Sequence, residues 1–184
     1  MKKFISVLLS TLLFLIPCGS GCGFMDKIIK DDYEEVNAQC EKLITAMESQ
    51  DKEDLRALFS KSAILLDENF ELDVDSLLAY YQGELISYQK DGSNVDEVIE
   101  AGNKSRCLEV SYEITTTIEA YRLYIKYIEI DEKVSDNEGI WSLYILKQSD
   151  DTTYEEGWRY LGDGKDNPGL NVNIPNSWTL DVEL

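Results

Sequence analysis

The order of hydrophobic periods along the chain predicts an α+β fold, three N-terminal helices packed on a curved antiparallel sheet of four to six strands. Up to Tyr81 the apolar residues recur every three or four positions, and after Gly83 the period drops to two. Turn-forming and acidic stretches break the second half at short intervals, as hairpin connections require.

The first helix is read over about Asp26 to Ser49. Ile29, Tyr33, Val36, Cys40, Leu43 and Met47 alternate spacings of four and three, which places them on one helical face. Ile28 and Ile44 widen that stripe, while Glu34, Glu35, Glu41 and Lys42 fall mostly outside it. Asp51 opens a second helix with acids in its first turn and Leu55, Leu58 and Phe59 as its buried positions. A third follows the polar stretch 67–73, carries Val74, Leu77, Leu78 and Tyr81, and is ended by Gly83.

Glu84 to Gln89 reads as a strand, Asp91-Gly92-Ser93-Asn94 as a turn and Val95 to Ala101 as a less regular strand. Leu108, Val110, Tyr112 and Ile114 alternate with polar neighbours, the pattern of a half-buried strand. Tyr121 to Ile130 and Ile140 to Leu146 are apolar enough for part of each to be covered on both faces. The acidic stretch 131–139 between them is a hairpin loop. From Ser149 the chain is rich in Asp, Asn, Gly and Pro and reads as irregular, with one short strand near Trp158 to Leu161. There is no internal repeat.

The N-terminus carries an address. Met1-Lys2-Lys3 is followed by an apolar run from Phe4 to Ile16 and then by Pro17-Cys18-Gly19-Ser20-Gly21-Cys22. That is the layout of a secretory signal, with an apolar part too short to span a membrane as a mature anchor. The small residues leading into Cys22 resemble the signal of bacterial lipoproteins. The resemblance implies cleavage before Cys22, diacylglycerol on its thiol, and a protein held at the outer, extracytoplasmic face of the cell membrane. The expected organisation is a signal peptide over 1–21, a lipidated tether over 22–25, a folded domain over 26–167 and an irregular tail over 168–184.

Charge and composition exclude several functions. The chain has 17 basic and 36 acidic residues, a net charge of −19, and loss of Lys2 and Lys3 with the signal lowers it to −21. Such a surface is repelled by nucleic acid and by anionic lipid headgroups, so nucleic-acid binding is excluded and membrane attachment falls to the lipid anchor. The chain has no histidine. This removes the commonest general base, the Ser-His and Cys-His nucleophile pairs and most zinc sites. The oxygen-rich stretches around Asp31, Asp131 and Asp163 lack the spacing of a calcium loop, so no metal or other cofactor is expected. Of the four cysteines only Cys40 and Cys107 would remain unmodified in the mature domain. Cys40 lies on the buried helical stripe and the alternation around Cys107 turns it to the other sheet face, so the two are expected to be unpaired.

Three stretches carry a family resemblance: Asp51 to Ser60, Tyr121 to Tyr124 and Gly139 to Lys147. They are similar to DUF5104, a family of small Gram-positive lipoproteins of unknown function. The resemblance covers roughly residues 25–165 and implies an NTF2-like fold, in which a long helix packs into the concave side of a curved sheet. It carries no catalytic signature.

In such a cone the interior would receive Tyr33, Val36, Cys40, Tyr81 and Tyr112, with either the Tyr121, Leu123 and Tyr127 set or the Tyr124 set. Tyr33, Tyr81, Tyr112, Tyr121 and Tyr127 are therefore the candidate ligand-binding residues, hydroxyls in a mostly apolar space. The competing reading makes them core residues whose hydroxyls bind backbone. No catalytic residue is assigned, because these inward positions hold no carboxylate. The expectation is a non-catalytic domain that binds a small ligand or an envelope protein at the cone. The alternative is a cone enzyme using a Tyr/carboxylate pair without histidine. Oligomeric state is left open, a dimer through the sheet being one arrangement.

Overall fold

The computed structural model describes residues 21–151 and 159–175, with side chains from Tyr33 onward. Residues 1–20, Trp158, Trp178 and the side chain of Cys22 lie outside that description. The chain divides into two units, Met1–Asp32 and Tyr33–Leu184, and the sheet with the helical segments from Tyr33 onward makes up the second.

Helix α1 spans Gly21–Ser49, and from Val36 the expected stripe of Val36, Cys40, Leu43 and Met47 is fully buried, with Glu34, Glu41 and Lys42 exposed. It stops where Gln50 takes a left-handed φ of 57° and the Asp51 N–H turns back to the Ala46 carbonyl at 2.9 Å. Asp51 then caps α2 (Lys52–Ala57), its carboxylate accepting the Asp54 N–H at 2.9 Å. Ser60 caps a short helix that the periodicity does not predict, α3 (Lys61–Leu66), its hydroxyl accepting the Ala63 N–H at 3.1 Å. Helix α4 covers Phe70–Tyr80, so the helical half holds four helices, and Tyr81 sits just past the end of the last. Leu58 and Phe59 likewise follow α2 rather than lying within it.

Among the described residues five strands form a single sheet in the order β1 (Leu85–Glu100), β2 (Asn103–Thr116), β3 (Ala120–Asp131), β4 (Gly139–Lys147) and β5 (Gly169–Val172). The first four are antiparallel neighbours, and β5 runs parallel to β4. The expected turn at Asp91–Asn94 is instead a register shift between Lys90 and Gly92 inside one continuous strand. The extra residue bends β1, and the missing Cβ of Gly92 leaves room for the Arg159 guanidinium. The reversal comes later, at Ala101-Gly102, where both residues have positive φ, as a two-residue hairpin turn demands. Strand β5 lies in the segment read as an irregular tail. Its own sequence is too short and polar to announce a strand, and no strand forms over Arg159–Leu161.

Both faces of the sheet are covered. On one, Val110, Tyr112, Ile114, Tyr121, Leu123, Ile125, Leu143 and Ile145 pack with the buried stripes of α1 and α4 into the main core. On the other, Tyr144, Leu146 and Tyr160 form a second, smaller core edged by Tyr124 and Ile174. The Ser111 hydroxyl donates to the Tyr160 carbonyl at 2.8 Å, and the Ser142 hydroxyl to the Asn167 carbonyl at 2.6 Å. The Tyr144 hydroxyl lies 3.0 Å from both Asp163 Oδ1 and the Lys165 carbonyl. Arg122, buried under the same segment, pairs with Asp151 at 2.8 Å.

Candidate functional site

The space between α1, α4 and the sheet is where the candidate tyrosines converge. Strand alternation decides between the two sets left open by the sequence: Tyr121 and Leu123 face the helices with Tyr127 packed beside them, and Tyr124 faces the C-terminal segment. Tyr121 is fully buried. Its hydroxyl donates to the Tyr80 carbonyl at 3.1 Å and accepts the Gln82 N–H at 2.7 Å, fixing the frayed end of α4 to β3. The Tyr81 ring stacks on that of Tyr121 at 5.2 Å between centroids. The Tyr81 hydroxyl is buried and has no hydrogen-bond partner among the described residues. Tyr112, on β2, donates to Asn37 Oδ1 on α1 at 2.8 Å. Tyr33 and Tyr127 are half-buried at the margin, with Lys90 Nζ 3.9 Å above the Tyr33 ring.

All five residues therefore share one core. None of the five principal clefts among the described residues is lined by any of them. Burial also fixes their chemistry. Desolvation pushes the Tyr81, Tyr112 and Tyr121 phenols up, and that of Tyr127 to about 12, so each is a neutral donor at physiological pH and no base. Burial raises the Cys40 thiol in the same way, which makes it inert as a nucleophile. Cys40 and Cys107 are both free, as expected.

The acids near this core do mechanical work. Glu41 on α1 accepts the Tyr88 hydroxyl at 2.5 Å, and Glu48 accepts the Leu85 N–H at 2.5 Å, so two carboxylates tie α1 to the outer strand β1. Hydrogen bonding to Glu41, helped by burial, holds the Tyr88 phenol up at about 12. Asp131 closes the β3–β4 loop: Asn137 Nδ2 donates to it at 2.7 Å and the Val134 N–H at 2.9 Å. Those bonds lower its pKa. Among the described residues no group of three or more acids or cysteines converges as a metal site.

Two surface features lie outside the sequence-derived candidates. Over the second sheet face, Glu109, Tyr124, Lys126, Ser142 and Asp166 line a polar cleft of about 190 Å³, closed by the ion pair from Lys126 to Asp166 at 2.8 Å. Its far wall is the C-terminal segment, whose aperiodic sequence gives no hint that it covers a sheet. On the helical side, Leu65 and Leu72 border clefts of about 650 and 260 Å³ that share Arg56, Ile64, Asp67 and Glu68. The signal for these was present, since Leu65-Leu66 stands between the helices the periodicity defines.

No curated protein matches the chain. The model of the domain of unknown function DUF5104 matches residues 42–148, more than half of the 184 residues. The match runs from the middle of α1 through β4 and stops before the segment that covers the second face of the sheet. The chain is a member of the DUF5104 family.

Proposed function

We propose that this protein is a lipoprotein, anchored through Cys22 at the extracytoplasmic face of the cell membrane, whose NTF2-like domain is a non-catalytic binding module for another envelope protein. The observation that carries the reading is the filled interior. Tyr112 and Tyr121 are buried and spend their hydroxyls on Asn37 and on the backbone of Tyr80 and Gln82. A small ligand would have to displace side chains that already satisfy one another, so binding falls to the exterior. One Tyr/carboxylate pair that the enzyme alternative could use is Tyr88 and Glu41, but Glu41 faces the cleft between α1 and α2 and Tyr88 does not line it. A base and its partner need a shared space for substrate, and this pair has none.

Two measurements test the reading. Cys22→Ser should release the protein from membranes into the medium, and an uncleaved wild type with a Ser variant still on the membrane would refute the anchor. In a thermal-shift screen of the purified domain against small polar and apolar molecules, no compound should act through the interior. A stabilising compound whose shift disappears in Tyr112→Phe or Tyr121→Phe would restore the small-ligand reading.

A further inference from the structure

We infer that the α3–α4 surface is the docking face for a basic, amphipathic helix of a partner protein, an inference that rests on the partner-binding reading above. Leu65, Leu66 and Leu72 are 82%, 57% and 67% exposed, three of the eight large hydrophobic side chains left open among the described residues. The other five are spread over β1, the β2–β3 turn and the β3–β4 loop. Leu65 and Leu72 each line one of two clefts that share Arg56, Ile64, Asp67 and Glu68, the first also lined by Lys61 and the second by Phe70. Exposed leucine beside such clefts is unfavourable in water and marks a contact surface.

The charges around the clefts select the occupant. Residues 67–75 contain Asp67, Glu68, Glu71, Asp73 and Asp75 and no basic residue. The nearby cations are already committed: Arg56 pairs with Glu71, Lys52 with Asp75 and Lys61 with Asp136. Glu68 and Asp73 make no ion pair among the described residues; Glu68 lines both clefts, and Asp73 follows Leu72 on α4. Burial and the nearby Asp67 carboxylate raise the pKa of Asp73, a strain that an incoming cation would relieve. Two clefts flanked by leucine, whose lining cations Arg56 and Lys61 are already paired and whose remaining charge is acidic, fit a helix that carries Leu-like anchors on one face and Lys or Arg on its flanks. A second copy of this chain is disfavoured by its net charge of −19, and an anionic membrane by the same repulsion.

The test uses a fluorescent synthetic peptide of Leu and Lys at helical spacing, with a Leu and Glu peptide of the same spacing as control, titrated by anisotropy into the full mature chain. The Lys peptide should bind and the Glu peptide should not. Leu65→Ser, Leu66→Ser and Leu72→Ser combined should weaken binding at least about tenfold, and these exposed changes leave the core intact. Glu68→Gln with Asp73→Asn should weaken binding a few-fold and flatten its salt dependence. Val98→Ser with Ile99→Ser, apolar but remote, should change nothing. Equal binding by the triple serine variant, or no binding by the wild type, overturns the proposal. A concentration-dependent dimer in sedimentation that the serine variant abolishes also overturns it, by making a second copy the occupant. None of these outcomes bears on the filled interior, which the thermal-shift screen tests separately.

Discussion

The two faces of the sheet are buried by different means. Toward the helices, the side chains of Val110, Ile114, Leu123, Ile125, Leu143 and Ile145 meet apolar stripes, and the contact is a matter of area. Toward the C-terminal segment, Ser111, Arg122, Ser142 and Tyr144 are held by directed bonds to Tyr160, Asp151, Asn167 and Asp163. Area tolerates exchange of one hydrophobe for another, whereas a buried polar group must keep its particular partner. The helix-facing side should therefore absorb sequence change that the other side cannot. The family match ends before the second cover begins.

Alkali asks whether the two covers open together. Buried phenols lie on both sides: Tyr81 and Tyr112 beneath the helices, Tyr124, Tyr144 and Tyr160 beneath the C-terminal segment. Burial is the largest cause of the raised pKa at each, and at Tyr144 it reaches about 12. A phenol whose folded pKa is raised stabilises the fold fully below its ordinary value of about 10, and that contribution is lost as pH rises from there through the folded value. Phenolate absorbance and far-ultraviolet circular dichroism should thus change in one step above about pH 10. An earlier phenolate step that Tyr144→Phe or Tyr160→Phe diminishes, with the helical signal unchanged, would show the C-terminal segment lifting alone, and would break the equivalence of the two covers.

Arg122 and Leu123 are neighbours on β3 that point to opposite faces, and the same replacement probes both. Leu123→Met keeps volume and apolarity and should cost less than about 1.5 kcal/mol. Arg122→Met also keeps length, yet it leaves the buried Asp151 carboxylate without the guanidinium it pairs with, at a cost of about 3–5 kcal/mol. Adding Asp151→Asn should recover part of that loss. Denaturant unfolding of the two single variants and the double variant measures all three, and equal costs for Arg122→Met and Leu123→Met would erase the distinction between the faces.

What could be read from the sequence follows the same division. The stripe Val36, Cys40, Leu43, Met47 and the alternation Leu108, Val110, Tyr112, Ile114 are periodic because area burial repeats with the backbone, and both stand as expected. Helix α3 escapes the periodicity because its six residues are too few to show a period, although Ser60 is a proper cap. The sequence divides strand β1 in two because Asp91-Gly92-Ser93-Asn94 has turn chemistry, which a bulge in an edge strand uses equally well. The covering role of residues 159–172 is invisible in the sequence because Tyr160 and Asn167 act through their carbonyls, which every residue has. The tyrosine cluster is legible as a convergence of residues. Whether it leaves a cavity is not, because that depends on how side chains from three elements fill the same space.

The smallest effect separates two tyrosines that the sequence treats alike. Tyr81 and Tyr112 are both buried against the helices, and a common core role would make Phe destabilising at each. Their hydroxyls differ. Tyr112 donates to Asn37 Oδ1, so Tyr112→Phe removes a formed bond; Asn37 is only half-buried and water can take its place, which limits the loss to about 1 kcal/mol. The Tyr81 hydroxyl has no partner among the described residues, so its burial is a cost that folding already bears. Tyr81→Phe keeps the stacked ring and removes that cost, and stability should stay level or rise by up to about 1 kcal/mol. Thermal unfolding should therefore move down for Tyr112→Phe and stay or move up for Tyr81→Phe. A clear loss at Tyr81 would mean that its hydroxyl is satisfied in solution by a bound water or ligand, and would reopen the interior as a binding site.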